Sequence, residues 1–527
     1  MDTFARDHLP PAALWPTIEF TTPELQYPQR LNAAGELIDV AVSRFGPDRP
    51  ALRTPAGEVW SYGELRERAN QVAWVLTEDF GLVPGQRVLL RSPNNPWTVA
   101  AWLGVLKAGG VAVTTMAALR TRELMPIVER TCPSIALVDN RFVDDVRGLP
   151  SLTVVGYDDL AGRAGTKSGE FTAVDTAADD VALLAPTSGS TGSPKITVHF
   201  HRDVLSIDNT FGRHVLRLTE NDLVACTAPF AFTFGLGVLV VFPLRAGACA
   251  LLTEAATPAQ VAELVERHGV TVLATAPTAY KAILRDGLEG RLSGLRTAVS
   301  AGEHIPRETW LRLEERLGLR VIDGIGATEL LHIFISAAGD DIRPGSTGKP
   351  VPGYRATVLG PDGEELGPGE PGRLGVIGPV GCRYLDDARQ KDYVVGGWNV
   401  TGDVFHRDED GYFHYHARSD HMIVSSGYNI GGPEVEEAID THPDVLESAV
   451  VAKPDDERGS VVCAFVVLRD GVVGDAAKAR EIQDHVQRTI APYKYPRDVR
   501  FRTSLPRNAS GKLQRFALRK IVEEEAR

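Results

Sequence analysis

The run Thr187-Ser-Gly-Ser-Thr-Gly-Ser-Pro-Lys195 packs five hydroxyls, two glycines and a terminal lysine into nine residues, directly after the apolar stretch Val181–Ala185. Glycines allow positive φ and close backbone approach to a ligand. Hydroxyls and unpaired N–H groups suit phosphate oxygens, and a lysine adds a point charge. The segment therefore reads as a cradle for a polyphosphate at the end of a strand, or else as a plain Ser/Gly turn. It is not a Walker A loop, because the order G-x-x-x-x-G-K-[ST] is absent.

Four further stretches carry chemistry-bearing residues. Gly324-Ile-Gly-Ala-Thr-Glu329 sets a hydroxyl beside a carboxylate after an apolar run. The pair suits one phosphate and its magnesium ion, and equally suits a helix N-cap. Trp398-Asn-Val-Thr-Gly-Asp403 ends on an aspartate able to take both hydroxyls of a ribose, or to close a polar turn. Arg418-Ser-Asp-His-Met-Ile-Val-Ser-Ser-Gly427 stands where the chain changes texture, and Asn508-Ala-Ser-Gly-Lys-Leu-Gln514 places Lys512 on a glycine-bearing loop, where a solvated surface lysine is the bland alternative. His199-Phe-His201 has no third ligand nearby and reads as structural support beside the phosphate loop rather than a metal pair.

The elements that must position these residues follow from periodicity. Strands are expected at Arg87–Arg91, Ser134–Asp139, Val270–Ala274, Leu295–Ser300 and Arg320–Asp323, and helices at Trp97–Lys107, Ala259–His268 and Thr309–Leu317. Such alternation predicts an α/β fold with largely parallel sheets. After about residue 345 the grammar changes. Gly-Pro-Asp-Gly at 360–363 separates Arg355–Leu359 from Gly372–Ile377, as in a hairpin, and predicts a small antiparallel β subdomain over about 345–417. The last stretch returns to mixed elements, with a helix from Pro433 and strands at Glu447–Ala452 and Val461–Leu468.

With 527 residues, more than one domain is expected. Lys plus Arg number 56 against 69 for Asp plus Glu, a net charge of −13, which argues against nucleic acid as a partner. The five cysteines are scattered, with no C-x-x-C pair, which suits a reducing compartment and core positions. The N-terminus lacks an apolar h-region, so no signal peptide is expected. The longest apolar run, Gly235–Leu244, is about half of the ~20 residues that a membrane span needs and reads as a buried helix.

In this order and spacing the motifs resemble the adenylate-forming superfamily of acyl- and aryl-CoA synthetases, peptide-synthetase adenylation domains and firefly luciferase, over essentially the whole chain. The resemblance implies a large N-terminal domain of doubly wound sheets plus the small β subdomain, residues 1–418, followed by a small mobile α+β lid, residues 419–527. It implies ATP, Mg2+ and coenzyme A as co-substrates and cofactor. Thr187, Ser188, Gly189, Ser190, Thr191, Gly192 and Lys195 match the phosphate loop. Thr328 matches the α-phosphate contact and Glu329 the magnesium ligand. Gly302, Asp323, Gly324 and Ile325 fall at the nucleotide, Asp403 at the ribose, and Arg418 on the hinge side. Asp420 matches the hinge, Gly427 the thiol tunnel, and Lys512 the lysine that bridges carboxylate and α-phosphate. Two positions depart from the pattern. Ile196 stands where glycine usually follows the loop lysine, and Ile325 where an aromatic ring often covers adenine.

The acid itself is approached through Pro229-Phe-Ala-Phe-Thr-Phe-Gly-Leu-Gly237 and Thr328-Glu-Leu-Leu-His-Ile-Phe334, which look like segments of benzoate–CoA ligases. Ala5-Arg-Asp-His-Leu-Pro-Pro11 and Tyr27-Pro-Gln-Arg-Leu-Asn32 are similar to 2-aminobenzoate–CoA ligases. Thr233, Phe234, Phe242, Ser300, Gly326 and His332 are the expected acid-pocket residues. Phe234 and Phe242 flank a ring, and His332 hydrogen-bonds the carboxylate or an ortho substituent, or else is a satisfied core histidine. Phe230 and Phe232 read as core. The reading is thus a cytoplasmic aryl acid–CoA ligase, monomer or homodimer, with neither nucleic-acid nor membrane partner. Rivals are a stand-alone enzyme loading a separate acyl carrier protein, a benzoate or salicylate ligase, a luciferase-like oxygenase and a non-catalytic nucleotide-binding scaffold. No carrier motif precedes Arg527, which favours a free thiol acceptor.

Overall fold

The computed structural model describes residues 1–187, 194–418, 422–425, 428–455, 458–507 and 513–525. The chain divides into two compact units, Met1–Ala356 with Val376–Asn399, and Thr357–Gly375 with Val400–Arg527.

The first unit is built on two sheets flanked by helices. One has nine strands, of which six run parallel: Pro50–Arg53, Cys249–Leu251, Leu223–Cys226, Val272–Thr275, Thr297–Ala301 and Ile322–Gly326, in that spatial order. The second has six strands in the order Thr153–Gly156, Ile135–Val138, Arg87–Arg91, Val111–Thr115, Val181–Thr187 and Lys195–Phe200, the last antiparallel. Central strands are buried on both faces and so read as continuous apolar runs rather than alternations. This is the α/β architecture that the alternating elements predict.

Local chemistry sets the helix ends. The Asn95 carboxamide oxygen accepts from the Thr98 N–H at 2.9 Å, and Pro96 opens the helix Pro96–Lys107. Thr257 and Gln260 form a capping box at Pro258–His268, which Gly269 ends in the left-handed conformation. The run Gly235–Leu244 lies inside the helical stretch 233–246, as expected, but its middle turn is π-type. Pro243 has no N–H to return to the carbonyl one turn back, and the helix widens in the turn before it.

In the second unit the turn at 360–363 forms as expected, with the Gly363 N–H donating to the Gly360 carbonyl at 3.2 Å. Val445–Asp455 and Gly459–Leu468 pair antiparallel, and Asp498–Arg502 adds a parallel strand. Their side chains alternate by face. Val450, Val462, Ala464 and Val466 pack with Val435, Ile439, Ile482 and Val486 of two helices, whereas Val451, Phe465 and Val467 pack with Leu518 and Val522 of the C-terminal helix. Among the described residues no helix is long and apolar enough to cross a membrane. All five cysteines are free, four of them buried and Cys132 exposed.

The strand expected to stop at Asp323 continues to Gly326. It is prolonged by an antiparallel partner, Ile333–Ser336, that pairs Gly324 with Ser336 and Gly326 with Ile333. Glycine is needed there: a Cβ on Gly326 would lie 2.8 Å from the His332 carbonyl oxygen, and one on Gly324 would lie 2.8 Å from Ile333 Cγ2.

Helix–helix contact in the first unit is equally tight, since a Cβ on Gly104 would meet Val72 Cγ1 at 2.6 Å and the Ala69 carbonyl oxygen at 2.9 Å. Gly104→Val is expected to cost about 1–3 kcal/mol by overpacking, read by urea unfolding. Gly148→Ala, which meets nothing within 4 Å, is the control, expected to stay within about 0.5 kcal/mol of the parent.

Candidate active site

The strands Val181–Thr187 and Lys195–Phe200 pair antiparallel and bring Thr187 opposite Lys195 at the mouth of the hydroxyl-rich loop. Ser188, Gly189, Ser190, Thr191 and Gly192 lie outside the described residues, as do Asp420, Gly427 and Lys512. The loop's far end is anchored by Arg130, which donates to the Pro194 carbonyl at 2.5 Å and to the Leu385 carbonyl at 2.8 Å. Ile196, the departure from the family pattern, is fully buried in the core beneath the strand.

Lys195 points at a carboxylate through an intermediary. Its Nζ donates to the Tyr384 hydroxyl at 2.8 Å, and that hydroxyl donates to Glu329 Oε1 at 2.5 Å. Lys195 Nζ and Glu329 Oε1 are 3.6 Å apart. Tyr384 is fully buried, and burial together with the Glu329 charge drives its hydroxyl far above the ordinary phenol range, so it keeps its proton. Glu329 fits a magnesium site: it is a hard oxygen donor at the edge of the core, beside the loop lysine.

Thr328 and Glu329 occupy a single 3-10 turn, Thr328–Leu330, whose N-cap position is Ala327 with no side-chain cap. The helix-cap alternative for Thr328 therefore falls, and its hydroxyl is not spent on capping. Next, Leu331 takes φ +66°, a conformation that costs a non-glycine residue about 1–3 kcal/mol. The reversal sends Glu329 and His332 into different environments only three residues apart.

His332 is buried in an aromatic cage. Its ring stacks on Phe234 at 5.5 Å, meets Phe242 edge-on at 4.8 Å and lies 5.2 Å from Phe211. Gly237 lines the fourth side, where a Cβ would fall 2.5 Å from His332 Cδ2. Neither ring nitrogen has a side-chain hydrogen-bond partner, and the Phe234 backbone lies beside the ring. Burial holds its pKa down to about 3, so the ring is neutral. Phe234 and Phe242 thus flank the histidine ring, and Phe230 is core, as expected. Thr233 is buried at the start of the same helix.

Alongside, Ser300 and Asp323 are register partners on parallel strands, so their side chains share a face. The Ser300 Oγ and Asp323 Oδ1 atoms are buried without partners. Burial raises the Asp323 carboxyl to about 8. Gly302, at φ +91°, and Gly326 are exposed, and Ile325 is half-buried, so this face opens outward past Gly324.

His199 and His201 are both fully buried and depressed to about 3 and 4 by burial. His199 bonds Thr197 at 3.0 Å and stands beside the Thr328 backbone, the structural support expected of it. In the second unit Asp403 and Arg418 are direct cross-strand partners, with Arg418 Nη1 3.3 Å from Asp403 Oδ1 and 3.0 Å from the Thr401 carbonyl.

Two residues of this constellation carry no sequence signal that marks them. Tyr384 sits in the run Gly-Cys-Arg-Tyr-Leu, and Phe211 in a helix 201–216 whose apolar spacing speaks only of burial.

A loop lysine with a carboxylate beside it and a cluster of aromatic rings thus lie on one α/β frame, and proteins similar to this chain over most of its length are AMP-forming acid–thiol ligases. The chain belongs to the AMP-binding enzyme family, which it matches over residues 38–383, with the AMP-binding enzyme C-terminal domain over 434–512. It is 35% identical over 516 residues to the benzoate–CoA ligase of Thauera aromatica, covering 95% of this chain and 98% of that one. Its fold is similar to the anthranilate CoA ligase AuaEII in complex with anthranoyl-AMP, at TM-score 0.90 and 31% identity, covering 96% and 100% of the two chains. It is likewise similar to a benzoate CoA ligase from Burkholderia xenovorans LB400, at TM-score 0.86 and 31% identity over 93% of this chain and 100% of that one.

The buried carboxyl at Asp323 gives a test of the local environment. Its folded pKa of about 8 lies above the ~3.9 of an unfolded aspartate. The fold therefore favours the protonated form, and stability is lost as pH rises between those values. In thermal melts of the ligand-free protein, Asp323→Asn is expected to match the parent at pH 4 and to exceed its Tm increasingly up to pH 8. A difference that does not vary with pH would contradict the burial assignment.

Proposed function

We propose that this chain is an ATP-dependent aryl acid–CoA ligase. It joins an aromatic carboxylate to AMP, releases pyrophosphate, and then passes the aroyl group to the thiol of coenzyme A, the bond to AMP breaking as the thioester forms. The acid is 2-aminobenzoate or a ring-substituted relative. The observation that carries this reading is the cage of Phe211, Phe234 and Phe242 around a neutral His332 whose ring nitrogens have no side-chain partner, three residues from Glu329. Apolar walls with one hydrogen-bonding group suit a flat ring bearing one polar function.

In the first step a carboxylate oxygen attacks the α-phosphorus, and both reactants are anionic. Thr187 to Lys195 hold the phosphates, with Thr328 on the α-phosphate, and positioning lowers the barrier by holding the reactants in line. Glu329 would hold magnesium, which supplies charge neutralisation when bound. Gly302, Asp323, Gly324 and Ile325 receive the nucleobase, and Ser300, Gly326, Thr233, Phe234, Phe242 and His332 the acid. The resemblance assigns Asp403 the ribose hydroxyls, and Arg418 lies against it with Nη1 3.3 Å from Oδ1. The resemblance assigns Lys512 the charge that bridges the carboxylate and the α-phosphate, with residues 419–527 moving about Asp420 to let the thiol past Gly427. Five free cysteines suit a cytoplasmic setting.

A benzoate ligase is the second reading, favoured by the apolar rings of Phe211, Phe234 and Phe242 that surround His332. A panel of benzoate, 2-aminobenzoate, salicylate, cinnamate and a fatty acid with ATP, Mg2+ and coenzyme A, read by thioester mass, separates them. A lead for 2-aminobenzoate in kcat/KM supports the first, a lead for benzoate the second, and a lead for the fatty acid removes both. Lys512→Ala is expected to lower ATP–pyrophosphate exchange by about 10²–10³-fold, as for a lost transition-state charge contact.

Gly237→Ala tests the cage, because its Cβ would displace the His332 ring. The expected result is a fall of about tenfold or more in kcat/KM for the acid, worth about 1.4 kcal/mol, with the KM for ATP unchanged. Parallel loss in both would place the defect in the fold rather than in the cage.

A further inference from the structure

We propose that Tyr384 is a positioning residue that keeps the loop lysine and the acidic residue one hydroxyl apart, so that both stay available to Mg·ATP. The proposal rests on the nucleotide-binding reading above. Three distances carry it: Lys195 Nζ to the Tyr384 hydroxyl, 2.8 Å; that hydroxyl to Glu329 Oε1, 2.5 Å; and Lys195 Nζ to Glu329 Oε1, 3.6 Å.

Two opposite charges at the edge of a core attract strongly, because the local dielectric is low. Left alone, a flexible lysine closes on a carboxylate within direct hydrogen-bond reach, and each then becomes the other's ligand. Here the tyrosine oxygen is interposed. It gives its one proton to the carboxylate and offers a lone pair to the ammonium, which is the only assignment its donor and acceptor inventory allows. The lysine is also held over the rings of Tyr384, at 4.7 Å, and Tyr393, at 5.8 Å. Its charge is thus stabilised on the tyrosine side of the site rather than against Glu329.

The tyrosine itself cannot drift. Its backbone N–H donates to Gln390 Oε1 at 2.8 Å, and the same carboxamide donates to the Cys382 carbonyl at 3.0 Å and the Leu14 carbonyl at 2.9 Å. Tyr384 bridges to Thr197 on the loop strand, and its ring meets Tyr393 edge-on at 5.7 Å. A rigid, fully buried side chain thereby sets the spacing between two groups on different elements.

Calorimetric binding of Mg·ATP, with no acid present, tests this in four proteins: parent, Tyr384→Phe, Glu329→Gln and the double variant. Tyr384→Phe keeps the ring, and thermal melts check its fold. The expected result is about tenfold weaker Mg·ATP binding in Tyr384→Phe, because Lys195 collapses onto Glu329, and no further loss from the same change in the Glu329→Gln background. A second measurement leaves Tyr384 untouched. Glu329→Gln is expected to bind metal-free ATP about threefold more tightly than the parent, since its lysine is no longer held. Unchanged binding by Tyr384→Phe, an equal loss in both backgrounds, or no gain for metal-free ATP in Glu329→Gln overturns the proposal. A parent that binds no Mg·ATP overturns the nucleotide reading itself, and the proposal with it.

Discussion

The reversal between Gly326 and Ile333 is the constraint on which the site depends. The strand Ile322–Gly326 is the last of six parallel strands, and the chain turns back at once to pair with it antiparallel. Closing that turn in so few residues requires two glycines with no room for a Cβ and places Leu331 at positive φ. The strain is sustained because both flanking strands are locked in the sheet. Its result is that Glu329 meets Tyr384 while His332 enters the phenylalanine cage, so a carboxylate facing the loop lysine and a histidine packed among aromatic rings lie on one short segment.

Electrostatics then divide the first unit into two kinds of polar site. Three buried histidines, His199, His201 and His332, and the half-buried His304 are all held neutral by desolvation. They act as shaped polar surfaces rather than as charges. Lys195 and Glu329, by contrast, retain contact with solvent, with side chains 22% and 11% exposed. Charge is thus kept beside the loop, while the aromatic cluster around His332 carries none.

Much of the frame is legible from spacing. Helices at 96–107, 258–268 and 307–317 fall where apolar periodicity and caps put them, and the hairpin turn at 360–363 follows from its glycines and proline. The strand at 322–326 is misjudged at its end, because Gly-Ile-Gly has poor strand propensity and is held by a partner ten residues downstream. Thr328 looks like a helix cap because the residue types match, but no helix follows. Phe234 and Phe242 are expected to flank a substrate ring; in the structure the ring between them is that of His332, with Phe211 as a third neighbour, which is visible only once helix 201–216 is packed in place.

By itself the sequence determined the residue types at each motif, the α/β class and the likeness to an adenylate-forming enzyme, since these rest on local propensity and on order along the chain. Tertiary structure alone decided which groups meet. Tyr384 is separated from Lys195 by 189 residues and from Glu329 by 55, yet its hydroxyl joins them. No local pattern encodes such a contact, because it arises from sheet register and from the burial that makes a phenol keep its proton between two charges.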